Sequence, residues 1–276
     1  MIPQLLALTR RELLRLARNP QAIATSLLLP ILYLVLFGQA FNFGNLYGGN
    51  SAAFSPIVNG APTYFSYFSA GMAGFVAVTA TLFIGANVIF DKLFGILKRI
   101  SSTPASAVEI FGSRLLAGSI QPIGLAFLVL GLAYALGHLG LSGLQVTAAL
   151  GPVAVVQIVL AIVILSVMFA SLFLALGFSI EQPQTYFAVV NAINLPVLLT
   201  SAALYPWGIL PGWFKTMAKF NPITLAVEVI RLNLFAGAPG YYPYDAWTYL
   251  LGLFGWAVAM ILIATVLASR ALAPKR

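Results

Sequence analysis

Apolar residues run along this chain in six long blocks separated by short polar or basic breaks, the pattern of membrane-spanning helices. The blocks cover residues 22–41, 63–90, 108–136, 146–178, 185–204 and 246–267, each at or above the ~20 residues a helix needs to cross a bilayer. Pro30 predicts a bend in the first, and Pro122 lies inside the third. The second opens on an aromatic belt of Tyr64, Phe65, Tyr67 and Phe68. In the fourth, Ser171, Ala175 and Ser179 form a small-residue stripe that lets a neighbouring helix approach. Ahead of all six, residues 5–18 are amphipathic. Arg11, Arg15 and Arg18 share one face and Leu5, Leu6, Leu13 and Leu16 gather opposite, which predicts an interfacial helix within residues 1–20, ended by Asn19-Pro20.

Two of the breaks carry a pattern of their own. In residues 91–104, Leu93, Ile96, Leu97 and Ile100 fall at i, i+3, i+4 and i+7. Asp91 starts that turn and Lys98 and Arg99 close it, the order a helix dipole favours. Gly95 weakens it, Ser101–Pro104 end it, and Ser106 with Glu109 reads as a capping box for the next helix. Locally the stretch suits either a solvated basic loop or a docking helix for a cytoplasmic partner. The second break, residues 207–245, holds Asn221 as a natural N-cap, Pro222 at the first helical position and Gly237 as a stop. Ile223, Val227, Ile230 and Leu234 form an apolar stripe there, with Glu228 and Arg231 at i, i+3 on another face. From Pro222 to Phe235 such a helix reaches about 21 Å at ~1.5 Å per residue. The hydrocarbon core is ~30 Å thick. The segment is therefore expected to dip into the outer leaflet, or lie on it, and return.

Composition agrees with a membrane protein. Of 276 residues, 61% are apolar and 7% charged, with a mean hydropathy of +0.99, against about 25% charged residues in soluble domains. The net charge of +8 does not point to nucleic acid, because the basic residues flank apolar blocks. Of the 14 Lys and Arg residues, all but Lys215, Lys219 and Arg231 fall on one side of the six-span topology, which puts both termini in the cytoplasm.

The candidate chemistry is sparse. Cysteine is absent, His138 stands alone in an outer loop, and Glu181 and Asp91 lie at the inner surface, so neither a metal set nor a paired acid and base is expected. No GxxxxGK[ST] phosphate loop is present, and no internal repeat supports an inverted-repeat carrier. The amides within the spans are Gln39, Asn87, Gln121, Gln157, Asn191 and Asn194. Asn191 and Asn194, at i, i+3 in the fifth span, suit interhelical hydrogen bonds or a translocation path equally well.

In this order the motifs resemble the type-2 permease family of ATP-binding-cassette (ABC) exporters, over nearly the whole chain. The resemblance is carried by Leu8-Thr9-Arg10-Arg11-Glu12-Leu13 with Arg18-Asn19-Pro20, and by Asp91-Lys92, Gly95, Leu97-Lys98-Arg99-Ile100 and Thr103-Pro104. It continues in Ser201-Ala202-Ala203-Leu204-Tyr205-Pro206, Leu210-Pro211-Gly212-Trp213 and Asn221-Pro222-Ile223-Thr224 up to Glu228 and Arg231. It implies an all-α integral membrane protein with six transmembrane helices, an N-terminal interfacial helix, a cytoplasmic coupling helix between spans two and three, and a re-entrant outer segment between spans five and six. It further implies an exporter permease in the cell inner (plasma) membrane, pairing with a second copy and docking two ATP-binding subunits. The substrate would be a drug, lipid or lipid-linked glycan. The chain itself would bind no cofactor and catalyse no reaction, since ATP and Mg would sit on the partner.

Under that resemblance Asp91, Lys92, Leu93, Gly95, Leu97, Lys98 and Arg99 couple the membrane part to the ATPase. Thr79, Phe83, Asn87, Asn191 and Asn194 line the pathway, and Glu228 and Arg231 form an outer gate. The rival expectations are an ATP-independent carrier or flippase, and a scaffold subunit of a membrane complex.

Overall fold

The computed structural model describes residues 2–18, 28, 30–36, 57–101, 106–139, 143–235 and 244–272, and among them are helices and turns but no strand. The helices are α1 (Ile2–Ala17), α2 (Tyr64–Thr79), α3 (Leu82–Leu93), α4 (Ile96–Ser101), α5 (Ala107–His138), α6 (Pro152–Ser179), α7 (Pro183–Leu199), α8 (Gly212–Phe220), α9 (Pro222–Leu234) and α10 (Ala246–Leu272). Of the first expected span, only residues 28 and 30–36 are described, and they are helical. Thr103 and Pro104, most of the 42–62 loop, Gly237 and the basic end of the tail lie outside the described residues.

Four described runs are long and apolar enough to cross a bilayer: Tyr64–Leu93, which joins α2 and α3, Ala107–His138, Pro152–Ser179 and Ala246–Ala271. This is a membrane protein built on several apolar helices.

Capping chemistry sets several of the ends. Thr63 Oγ1 accepts from the Ser66 N–H at the start of α2. Ser106 and Glu109 make the expected reciprocal capping box at the start of α5. Asn221 Oδ1 accepts from the Ile223 N–H, and Pro222 takes the first position of α9.

Three elements differ from the hydropathy reading. The fourth span begins at Pro152, not at Val146. Proline disfavours the helical region for the residue before it, and Gly151 is extended accordingly. Residues 143–151 instead run beside α5 and α9, with the Leu144 N–H donating to the Ala133 carbonyl and the Thr147 and Ala148 N–H groups to that of Leu234. The fifth helix runs from Pro183 to Leu199, not from Thr185 to Leu204, and its 17 residues reach about 25 Å. The second span is broken at Ala80–Thr81 without glycine or proline. There Thr81 Oγ1 donates to the Val78 carbonyl, a local bond that competes with helix continuation.

α6 is the hub. It packs most extensively on α10 and also against α2, α3, α5, α7 and α9. The main core gathers Phe65, Met72, Val76, Ile162, Phe169, Phe173, Val227 and Ile230. A smaller second cluster gathers Val88, Leu97, Ile110, Phe111, Leu174, Phe178, Ala264 and Ala268.

Candidate functional site

At the C-terminal end of the broken span, the backbone turns on one residue. Gly95 has φ +69, a left-handed conformation open to glycine and costly for other residues. The turn separates α3 from α4, so Leu93 and Leu97 do not share one helical stripe as their spacing predicts. Asp91 also changes place: it ends α3 rather than opening the next helix.

Three side chains fix this corner to the body. Arg114 Nη2 donates to Asp91 Oδ2 at 2.7 Å, with both side chains 5% exposed or less. Lys92 Nζ donates to the carbonyls of Phe178 at 2.5 Å and Ile180 at 3.0 Å, placing a cation on the C-terminal end of α6. Leu97 is buried in the smaller cluster. What remains outward is a mixed patch: Leu93 at 60% exposure, Phe94 at 73%, and the exposed Lys98 and Arg99.

Removing Asp91 leaves a buried guanidinium without its carboxylate. Asp91→Ala is therefore expected to cost about 3 kcal/mol or more, read as a lower unfolding temperature in detergent. The double variant Asp91→Ala with Arg114→Met is expected to recover most of that loss.

The expected pathway residues fall on α2, α3 and α7. Thr79 is half-buried and bonds to its own helix through the Phe75 carbonyl. Phe83 and Asn87 lie on the exposed face of α3, and Asn191 on the exposed face of α7. Asn194 turns inward instead. It is 5% exposed, and its Oδ1 is buried with no protein hydrogen-bond partner.

Glu228 and Arg231 are buried at the opposite end. Arg231 is wholly enclosed. Nη1 donates to Glu228 Oε1 and to the Ala202 carbonyl, both at 2.8 Å, and Nη2 donates to the carbonyls of Ala203 at 2.9 Å and Tyr67 at 3.1 Å. The guanidinium carbon also lies 3.4 Å from the centre of the Tyr67 ring. Asn59 Nδ2 donates to the second Glu228 oxygen at 3.0 Å. Tyr67 Oη donates toward the carbonyls of Ala202 and Tyr205. The pair thus clasps α9 to α2 and to the 201–205 turn.

Arg114, Asn59 and Tyr186 were not singled out from the sequence, and Tyr67 was read only as part of the aromatic belt. Arg114 carried a usable signal, because a cation two turns inside a span needs a named partner. Tyr67 reads equally well as belt, and nothing local marks Asn59 or Tyr186.

Residues 3–235 match the family model described as ABC-2 type transporter. The chain belongs to that family. Similar ABC-2 proteins include a transport permease named ycf38 from Porphyra purpurea, 29% identical over 234 residues, which span 83% of this chain and 73% of the relative. The ycf38 permease of Cyanophora paradoxa is 27% identical over 258 residues, spanning 92% and 79%. A protein of Mycobacterium tuberculosis named as a doxorubicin resistance ABC transporter permease, DrrC, is 23% identical over 275 residues, spanning 96% and 86%. These relatives are transport permeases, not catalytic enzymes. Membership of the ABC-2 family implies an ATP-binding partner within an ABC transporter.

Proposed function

We propose that this ABC-2 permease is the membrane half of an exporter in which two copies pair, dock two ATP-binding subunits and alternate between inward and outward access. The observation that carries the reading is the inner corner. Leu93, Phe94, Lys98 and Arg99 face outward from a mount held by Asp91, Lys92 and Leu97. An apolar pair beside two cations suits a protein groove with an acidic rim. A solvated loop needs no such mount.

Gly95 supplies the turn that separates the docking face from the span. Phe83 and Asn87 of α3 with Asn191 of α7 form the pathway face, joined by Thr79 and by Asn194, whose free amide oxygen lies on the same helix. A mostly apolar surface with scattered amides suits hydrophobic or amphipathic cargo: drugs, lipids or lipid-linked glycans. The name of the DrrC relative favours testing the drug class first. Glu228 and Arg231 act as an outer gate by holding α9 against α2. The chain lies in the inner (plasma) membrane with both termini cytoplasmic.

The test uses inside-out vesicles carrying the chain and its ATP-binding subunit. Uptake of doxorubicin, a fluorescent phospholipid and a lipid-linked sugar is measured with and without ATP. ATP-dependent, vanadate-sensitive uptake of at least one probe is expected, and Asn191→Leu with Asn194→Leu is expected to change the relative rates among probes. Uptake that proceeds at the same rate without ATP would favour a gradient-driven carrier and overturn the proposal.

A further inference from the structure

Tyr186 lies in the first turn of α7 and is fully buried. Its hydroxyl donates to the Leu82 carbonyl at 2.7 Å. Leu82 and Ala86 form one rung of α3, immediately beyond the Ala80–Thr81 break.

Gly85 makes the approach possible. A Cβ there would stand 2.3 Å from Tyr186 Oη and 2.1 Å from the Phe173 carbonyl oxygen, and both contacts require that it be absent. On the facing helix, a Cβ at Gly177 would stand 2.5 Å from the Gly85 carbonyl oxygen, so α3 and α6 meet backbone to backbone. The tyrosine from α7 closes the notch beside them.

Packing alone does not call for the hydroxyl. Phenylalanine would fill the same volume, and a phenol taken out of water must find a partner to avoid a desolvation cost. Here the partner is the backbone of a different helix, which makes a directional tie between α7 and α3. A second tie holds the other end of α3, where Lys92 donates to the carbonyls of Phe178 and Ile180, just ahead of α7. α2, above the break, is fastened elsewhere: the Arg231 guanidinium holds its Tyr67 carbonyl.

We propose that Tyr186 is a positioning residue that yokes α7 to the inner half of the broken span. A displacement of the Asp91–Ser101 segment then reaches α7 through α3, with the Ala80–Thr81 turn as the flexing point. The force-transmitting part of this inference rests on the coupling role proposed above for that segment, and the yoke itself does not.

The chain has no cysteine, so paired labels are clean. Nitroxides at Phe90→Cys and Leu195→Cys, on the exposed faces of α3 and α7, report the distance between the two helices by pulsed electron resonance. In nanodiscs without any partner, the parent is expected to show one dominant distance. Tyr186→Phe keeps the ring and the fold, and is expected to raise a second, detached population roughly three- to tenfold, the shift set by one lost hydrogen bond. Superimposable distributions in parent and variant would overturn the yoke, even if the variant unfolds at a lower temperature.

With the ATP-binding subunit bound, vanadate trapping is expected to leave the parent distance unchanged and to alter it in Tyr186→Phe. A parent distance that changes on trapping would also overturn the yoke. If the subunit does not bind the parent at all, the coupling role falls and the force-transmitting part falls with it. The first measurement still decides the yoke.

Discussion

Replacing Arg231 by methionine is expected to cost about 3–5 kcal/mol, because it strips a buried carboxylate of its partner. No other side chain in the described structure is engaged so fully. Its guanidinium serves Glu228, three backbone carbonyls and the face of Tyr67, with no exposure to solvent. Methionine restores the volume but none of the five donors. Glu228 would then be left with Asn59 as its buried side-chain donor, and the Ala203 carbonyl would lose its bond to the guanidinium.

Arg231→Lys is expected to rescue only part of the loss, since an ammonium has no planar fork to place on the ring and on separated carbonyls. Glu228→Gln is expected to be milder, because the amide oxygen still accepts from Arg231. The readout is the unfolding temperature of the purified chain in detergent by tryptophan fluorescence. A fall of roughly 6–20 °C is expected for Arg231→Met, from about 2–4 °C per kcal/mol for a chain of this order of size. An unfolding temperature unchanged from the parent would mean that the clasp does not hold α9 to α2.

The second large effect separates two residues three positions apart, Phe94 and Leu97. Leu97→Asp is expected to damage the fold itself. It buries a carboxylate among Val88, Ile110, Phe111 and Phe178, at a cost of several kcal/mol. Phe94→Asp is expected to leave the unfolding temperature unchanged, because Phe94 is 73% exposed. If Phe94 enters a groove of the ATP-binding subunit, its loss removes about 1.5–3 kcal/mol of burial, or roughly 10–100-fold in affinity. The two variants are compared by unfolding temperature and by titration of the ATP-binding subunit onto the nanodisc-embedded chain. Full affinity in Phe94→Asp would remove that residue from the docking face.

This contrast shows where sequence reasoning reached and where it stopped. Helix ends with local chemistry were legible: the Ser106–Glu109 box and the Asn221–Pro222 start each need only residues within one turn. The apolar runs were legible as runs but not as boundaries. Hydropathy continues from Val146 through Pro152, while the backbone follows the proline. Leu93 and Leu97 look equivalent at helical spacing, and one left-handed glycine between them turns one outward and the other inward.

The contacts that organise the site join distant parts of the chain. Asp91 meets Arg114, Arg231 meets Tyr67, and Tyr186 meets Leu82 across 104 positions. Periodicity carries no information about such pairs, because each depends on how whole helices pack. The break at Ala80–Thr81 was hidden for a related reason. Without glycine or proline, only the packed structure distinguishes it from the helix on either side.

The central claim, that this chain docks and is driven by an ATP-binding subunit through the Leu93–Arg99 corner, is tested most directly by co-purification. The chain and its ATP-binding subunit are expressed together, and the chain is captured from the membrane. A stable complex is expected, with an ATP hydrolysis rate different from that of the free subunit, and Phe94→Asp combined with Arg99→Glu is expected to release the subunit. Capture of the chain alone, with ATP hydrolysis by the subunit indifferent to its presence, would contradict the account.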